Sequence, residues 1–182
     1  MEITSARLKL RFINEGDLEA IHSLHSLAET DRFNTLGMPK DLAQTKAVIS
    51  PWIEANLQKP LKNYTFAIEL SPNPEFIGLF GLRLGATKYN RAELWFKIHA
   101  KFWAKGYATE ALISVQKYAF EKLGLHRIEA GCAVNNIGSI KVLEKAGMTR
   151  EGRGRQVLPL QSGWSDNFEY AILESDKIGG TE

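Results

Sequence analysis

Two stretches of this chain set ligand-seeking groups at the start of a helix. The first, Lys101-Phe102-Trp103-Ala104-Lys105-Gly106-Tyr107-Ala108-Thr109-Glu110-Ala111, closes an alternating apolar run and opens the clearest helical pattern in the sequence. It reads as a strand, a tight glycine turn and a helix. Ala104, Gly106 and Ala108 carry little bulk, and beside the Lys105 side chain they let a ligand approach a first helical turn whose N–H groups lack intrahelical partners. Such a turn binds phosphate. On this stretch alone the plainer reading, small residues relieving crowding, is favoured. The second stretch, Asn135 to Met148, follows another strand-like run and opens a further helix with Asn136 and Ser139 in its first turn. An Asn there caps a helix, and a Ser there can satisfy nearby backbone.

Other groups with chemical potential stand elsewhere. Glu93 shares a strand face with Trp95 and Lys97 by period two, so its carboxylate could act as a base through water, or be an exposed strand carboxylate. Cys132 falls on the strand before Ser139, where a lone cysteine is by default a small buried residue. His22 and His25 sit three apart on a helical pattern with no third ligand near them in sequence, which favours a pair at the edge of a face over a metal site.

The elements that would position these groups can be read in order. Arg7 to Phe12 alternates basic with apolar residues, as a strand does. Asn14-Glu15-Gly16-Asp17 then supplies a cap followed three residues later by a carboxylate, ahead of a face made by Leu18, Ile21, Leu24, His25 and Leu27. A loop from Phe33 to Lys40 leads into a helix over Asp41 to Lys59, which Pro51 should break or kink near Ser50. Tyr64–Glu69, Phe76–Leu84 and Ala92–Ile98 form a meander, Thr109–Leu123 a helix stopped by Gly124, Arg127–Val134 a strand, and Ile137–Ala146 a helix. Thr149–Leu160 and Trp164–Leu173 close the chain as a hairpin, and the tail from Gly179 to Glu182 is expected to fray. The alternation is that of a single α/β domain over residues 1–182, with a ligand where two neighbouring strands diverge.

Composition narrows the function. A chain of 182 residues, 44% hydrophobic and 24% charged, is long enough for one sizeable core. A net charge of +2 and a pI near 8.6 give no electrostatic footprint for nucleic acid, and Gly152-Arg153-Gly154-Arg155 reads as a solvated turn. No apolar run approaches the ~20 residues needed to span a bilayer. The opening Met1-Glu2-Ile3-Thr4 has neither a basic region nor an apolar core, and one cysteine builds no internal disulfide, so the cytosol is the expected compartment and the glycosylation triplet Asn63-Tyr64-Thr65 is expected to be chance.

The order Trp-Ala-Lys-Gly-Tyr-Ala-Thr-Glu-Ala (103–111), then Asn-x-x-Ser-x-x-Val-Leu-Glu-Lys-x-Gly (136–147), resembles the GNAT family of acetyl-CoA-dependent N-acetyltransferases. Within it the nearest match is the branch that acetylates ribosomal-protein N-termini, with its small-amine relatives. The similarity extends over nearly the whole chain, from Arg7-Leu8-Lys9-Leu10-Arg11 through Phe76–Leu82 to Gly163–Asp166 and Glu169–Leu173. It implies a mixed, mostly antiparallel sheet of about seven strands with helices on both faces. A cleft is implied between the splayed fourth and fifth strands of that family's sheet, here Ala92–Ile98 and Arg127–Val134. Acetyl-CoA is implied as cosubstrate, with Lys105, Gly106, Tyr107, Ala108 and Thr109 holding the pyrophosphate and Phe96, Lys97, Ile98 and Asn136 the pantetheine arm. The resemblance also places Phe33, Trp52 and Trp164 on the acceptor side, implies no metal, and leaves a homodimer open.

Moving an acetyl group from a thioester to an amine needs a neutral nucleophile, a donor for the oxyanion and a stabiliser of the leaving thiolate. The free N–H of Phe96 or Lys97 at the strand split is the expected donor. Many family members use a tyrosine where this chain has Leu143, so Ser139, similar to a serine of the ribosomal-protein branch, is expected to hydrogen-bond the thiolate. Glu93, on the splayed strand, is the expected base through water; Val157-Leu158-Pro159-Leu160 lacks the carboxylate that the ribosomal-protein branch tends to carry, which leaves the acceptor open, and Glu110 is expected to be structural at the positive helix end. The leading expectation is therefore direct acetyl transfer to a primary amine, an N-terminal amine ahead of a polyamine, amino acid or antibiotic. A non-catalytic CoA sensor is the alternative from another class. A dinucleotide-binding domain is disfavoured because no Gly-x-Gly-x-x-Gly follows the first strand.

Overall fold

The computed structural model describes residues 1–179, and its eight strands lie in one sheet. In chain order they are β1 (Glu2–Thr4), β2 (Leu8–Phe12), β3 (Asn63–Leu70), β4 (Phe76–Leu84), β5 (Arg91–Ile98), β6 (Arg127–Ala133), β7 (Thr149–Leu160) and β8 (Gly163–Leu173). The spatial order is β1-β2-β3-β4-β5-β6-β8-β7, and every neighbouring pair is antiparallel except β5 with β6. This is one strand more than the expected seven. The extra strand, β1, is only three residues long, too short for an alternation to declare itself.

Period two sorts the sheet into two faces, each with its own core. Ala67 and Leu79 turn to the face where α1 (Leu18–His25), the short α2 (Ala28–Asp31) and α3 (Leu42–Ala55) lie, and join Ile21, Leu24 and Ile49. Their neighbours Phe66, Ile68 and Phe80 turn the other way, into the larger core made with α4 (Tyr107–Glu121) and α5 (Ile137–Lys145). Both faces are therefore covered.

The predicted cap at Asn14 forms: its side chain accepts the Gly16 N–H, and Asp17 accepts the Asn14 N–H at 2.8 Å. Asp17 also receives the Arg11 guanidinium, which reaches Glu69 as well and so ties the start of α1 to β2 and β3. Pro51 does not end α3. The helix runs through it to Ala55, because Thr45 and Ile49 are buried beneath it and Trp52 and Ile53 pack with them, which outweighs the roughly 3 kcal/mol that an interior proline costs. The expected fraying of the tail fails at Gly179, whose N–H donates to the Ala146 carbonyl at 3.2 Å. Residues 180–182 of that tail lie outside the described residues.

Candidate active site

The sheet divides between β5 and β6. Their parallel ladder runs from the Arg91–Arg127 pair to the Leu94–Ala130 pair and stops, while β5 stays paired with β4 as far as Ile98 and β6 stays paired with β8 as far as Ala133. Residues 95–98 thus form one wall of a cleft. Arg91 accepts from the Gly85 N–H and His99 donates to the Ile77 carbonyl, both on the β4 side. By alternation Lys97 turns its peptide groups towards β4, and Phe96 and Ile98 turn theirs towards the cleft. Of the two expected oxyanion donors, geometry therefore keeps Phe96 and removes Lys97. The Ile98 carbonyl is already taken by the Trp103 indole N–H at 2.7 Å, a contact that the sequence did not disclose.

At the end of this wall the chain makes its glycine turn. Ala104 and Gly106 have φ of 59° and 80°, and Gly106 is the N-cap of α4 with no side chain to satisfy the first N–H groups. The first intrahelical bond runs from the Glu110 N–H to the Gly106 carbonyl, so the N–H groups of Tyr107, Ala108 and Thr109 have no backbone acceptor among the described residues. Lys105 is exposed, its ammonium 5.5 Å from the centre of the Phe102 ring. A cavity of about 650 Å³ opens here, with Gly106, Thr109, Ser114, Lys117 and Lys145 in its lining. Backbone donors, a positive helix end and free lysines fit a pyrophosphate.

Glu110 has the structural part expected of it. Its carboxylate accepts the Ser5 hydroxyl at 2.7 Å, the Arg7 N–H at 2.8 Å and the Arg7 guanidinium at 2.7 Å. Arg7 in turn donates to the Lys105 carbonyl at 3.2 Å and lies 4.7 Å from the centre of the Tyr107 ring. Arg7 was read only as part of a strand pattern, because nothing in sequence links it to a turn about a hundred residues away.

Across the cleft, α5 begins at Ile137 with Asn136 as its N-cap. The Asn136 side-chain oxygen accepts the Ser139 N–H at 3.1 Å, leaving the Asn136 amide N–H groups and the half-buried Ser139 hydroxyl without partners among the described residues. Ser139 is thus the capped residue and not the capping one. Cys132 on β6 is buried, and burial, with the nearby Glu144 charge, pushes its thiol up to about 11, so at neutral pH it is an uncharged packing residue.

Glu93 does not join the site. It lies on the still-paired part of β5, beside a separate cavity of about 390 Å³, and its carboxylate is ion-paired with Arg83 directly opposite on β4. Three residues separate it from Phe96, roughly 10 Å along the strand. The plainer reading of an exposed strand carboxylate is the one the structure gives.

The face of β5 that carries Trp95 and Lys97 meets α1 to α3. Trp52 lies 5.5 Å from Trp95 and 6.2 Å from His25, centre to centre. The two histidines are not at an edge: His25 is buried, and His22 pairs its Nδ1 with the Thr45 hydroxyl at 2.7 Å. Lys97, expected to serve through its backbone, instead buries its side chain here. Phe33 is half-buried 5.2 Å from the Arg32 guanidinium, and Trp164 is exposed opposite Pro159 in the β7–β8 hairpin. Among the described residues no group of three or more His, Cys, Asp or Glu side chains is placed to hold a metal, and no helix is long and apolar enough to cross a membrane.

Comparison with known proteins agrees with this geometry. Residues 7–149 match the family model described as an acetyltransferase (GNAT) domain. The chain is 32% identical over 168 residues to the uncharacterized N-acetyltransferase YoaA of Bacillus subtilis, covering 92% of this chain and 94% of YoaA. A GNAT-family acetyltransferase of Bacillus anthracis superposes with a TM-score of 0.83 at 30% identity, over 96% of this chain and 99% of that one. Spermidine N-acetyltransferase of Vibrio cholerae, solved with CoA and spermine, superposes with a TM-score of 0.81 at 23% identity, over 94% of this chain and 98% of that one. A strand split beside an open helix N-terminus, carried on a sheet that these relatives share, makes this chain a member of the GNAT family, an N-acetyltransferase whose cosubstrate is acetyl-CoA.

Proposed function

We propose that the enzyme transfers the acetyl group directly to an amine in a ternary complex, and that the acceptor carries a single positive charge, an N-terminal amine of a peptide or protein. The observation that carries this reading is the separation of β5 from β6 at Leu94 and Ala130, which opens the Phe96 N–H to an oxyanion between the phosphate-binding turn and Ser139. The open N–H groups of residues 107–109 hold the pyrophosphate, the Asn136 amide steadies the pantetheine arm, and the Ser139 hydroxyl donates to the departing thiolate. Lys105 supports the turn as an exposed cation, and Ile98 gives the wall its apolar side chain.

Charge supports the choice of acceptor. A polyamine brings several cations, whereas the aromatic and polar cluster beside β5 offers one buried carboxylate, Asp31, and that already faces Lys97. The spermine-bound relative keeps a polyamine as the second reading. We place the reaction in the cytosol, where an unpaired buried cysteine needs no partner. Thiol release from acetyl-CoA, measured over peptides, amino acids and polyamines, tests both readings. Peptide N-termini should give the highest kcat/KM, spermidine preference would reverse the assignment, and CoA binding without turnover on any amine would make the protein a sensor.

A further inference from the structure

The splayed segment of β5 holds a charged side chain that the mechanism above does not use. Lys97 is 7% exposed, and its Nζ has no hydrogen-bond partner among the described residues. Facing it from α2 is Asp31, 4% exposed, with Oδ1 also unpartnered, and the two are not within 4.0 Å of each other. A buried amine and a buried carboxylate, each with an open hydrogen-bonding position, can receive a further polar group between them. The place is specific: Lys97 follows Phe96, whose N–H lines the cleft, and its side chain rises on the face opposite α4 and the phosphate turn.

We propose that Lys97 is the general base of the transfer, its uncharged amine taking the first proton from the acceptor's ammonium group, with Asp31 as counter-charge to whichever nitrogen holds that proton. The inference rests on the transferase reading above. The Lys97 lone pair binds the proton and leaves a free acceptor amine, whose own lone pair forms the C–N bond as the thioester carbonyl electrons move onto oxygen. Collapse re-forms the carbonyl and breaks the C–S bond. The second proton on nitrogen passes to the thiolate beside Ser139, and Lys97 returns its proton to water. Ammonium and acetyl-CoA thus give amide, CoA thiol and one proton.

The surroundings keep Lys97 able to act. Burial pulls its pKa down to about 8, with Asp31 working against that shift. From α1, burial together with the Lys97 and His22 charges holds His25 at about 4, so His25 adds no charge at neutral pH. On the same face of the sheet Glu93 is neutralised by Arg83, and α3 presents Thr45 and Trp52 while its Lys46 and Glu54 are exposed.

The test compares Lys97→Met with the parent at pH 7, using a peptide N-terminal amine and methoxyamine, an acceptor that is uncharged at that pH and needs no first deprotonation. Lys97→Met should lower kcat/KM for the peptide about 100- to 10,000-fold and for methoxyamine less than about threefold. CoA affinity should hold, while the melting temperature should fall because the change leaves buried Asp31 without its counter-charge; the contrast between the two acceptors, read on the same folded variant, is independent of that loss. Lys97→Arg, which keeps the cation but cannot deprotonate, should be as slow with the peptide. Equal losses with both acceptors would make Lys97 a positioning residue, and an unchanged peptide rate in either variant would remove it from the reaction; each result overturns the proposal while leaving the transferase reading intact. A parent protein that binds CoA and acetylates no amine would overturn both.

Discussion

The clearest separation of roles at the scale of single residues is between Asn136 and Ser139. Because Asn136 caps the Ser139 N–H, the Ser139 hydroxyl has no structural duty to lose. Ser139→Ala should therefore leave the melting temperature and the acetyl-CoA KM nearly unchanged and lower kcat by about ten- to a hundredfold, the worth of one hydrogen bond of roughly 1.5 to 3 kcal/mol to a developing anion. Asn136→Ala should behave in the opposite sense on stability, losing a cap worth about 1 kcal/mol, or roughly 2–4 °C in Tm. Steady-state kinetics and thermal denaturation on the two variants check both expectations, and a fully active Ser139→Ala would exclude the hydroxyl from the mechanism. Gly106→Val combines two effects that such measurements can part. The positive φ of 80° strains any side chain by about 1–2 kcal/mol, and a Cβ there also comes within 3.4 Å of the Arg7 guanidinium. A loss of CoA affinity exceeding what the lowered stability explains is expected.

Between elements, the tie that sets the turn is the carboxylate of Glu110, on α4, gripping Ser5 and Arg7 from the edge of the sheet. Burial alone would raise its pKa, but hydrogen bonds from Ser5 and Arg7 and the Arg7 charge outweigh burial and hold it below the ordinary carboxylate value. A carboxylate with a lowered folded-state pKa contributes stability above its unfolded value near 4.3 and loses that contribution as pH falls through the folded one. Glu110→Gln should thus cost about 1 kcal/mol at pH 7, a figure already reduced for the partial exposure of the pair, with the gap to the parent closing below about pH 4. Denaturant melts at pH 7 and pH 3 measure this, and a gap that stays constant would mean that the contacts are not charge-assisted. Neither this tie nor the unbroken α3 could be read locally. Arg7 alternates with apolar residues like any edge-strand cation, and Pro51 breaks a helix by every local rule; distant packing decided both.

The molecule as a whole can be described as two half-sheets held together by one short parallel ladder. Most of this was legible in the sequence: β2, β5 and β6 alternate buried with more exposed residues, while β3 and β4, covered on both faces, declare themselves as short apolar, β-rich runs. The two motifs, at the starts of α4 and α5, were legible too. The acceptor side was not: Glu93, Trp95 and Lys97 read as one polar face, and only the stacking of α1 to α3 over its far end separates an exposed, paired Glu93 from a buried Lys97. The split itself makes a prediction for the free and liganded protein. Without ligand, the Trp95 and Lys97 amides are bonded into β4, whereas those of Phe96, Tyr107, Ala108 and Thr109 face open space. Amide hydrogen exchange should find the first two protected in both states and the other four slowed chiefly when acetyl-CoA is added. At about 100 times Kd the ligand should add about 2.7 kcal/mol, or roughly 5–10 °C in Tm. If the Phe96 amide stays unprotected while the α4 amides slow, the nucleotide end binds as argued but the thioester does not sit in the split, and the oxyanion must be held elsewhere.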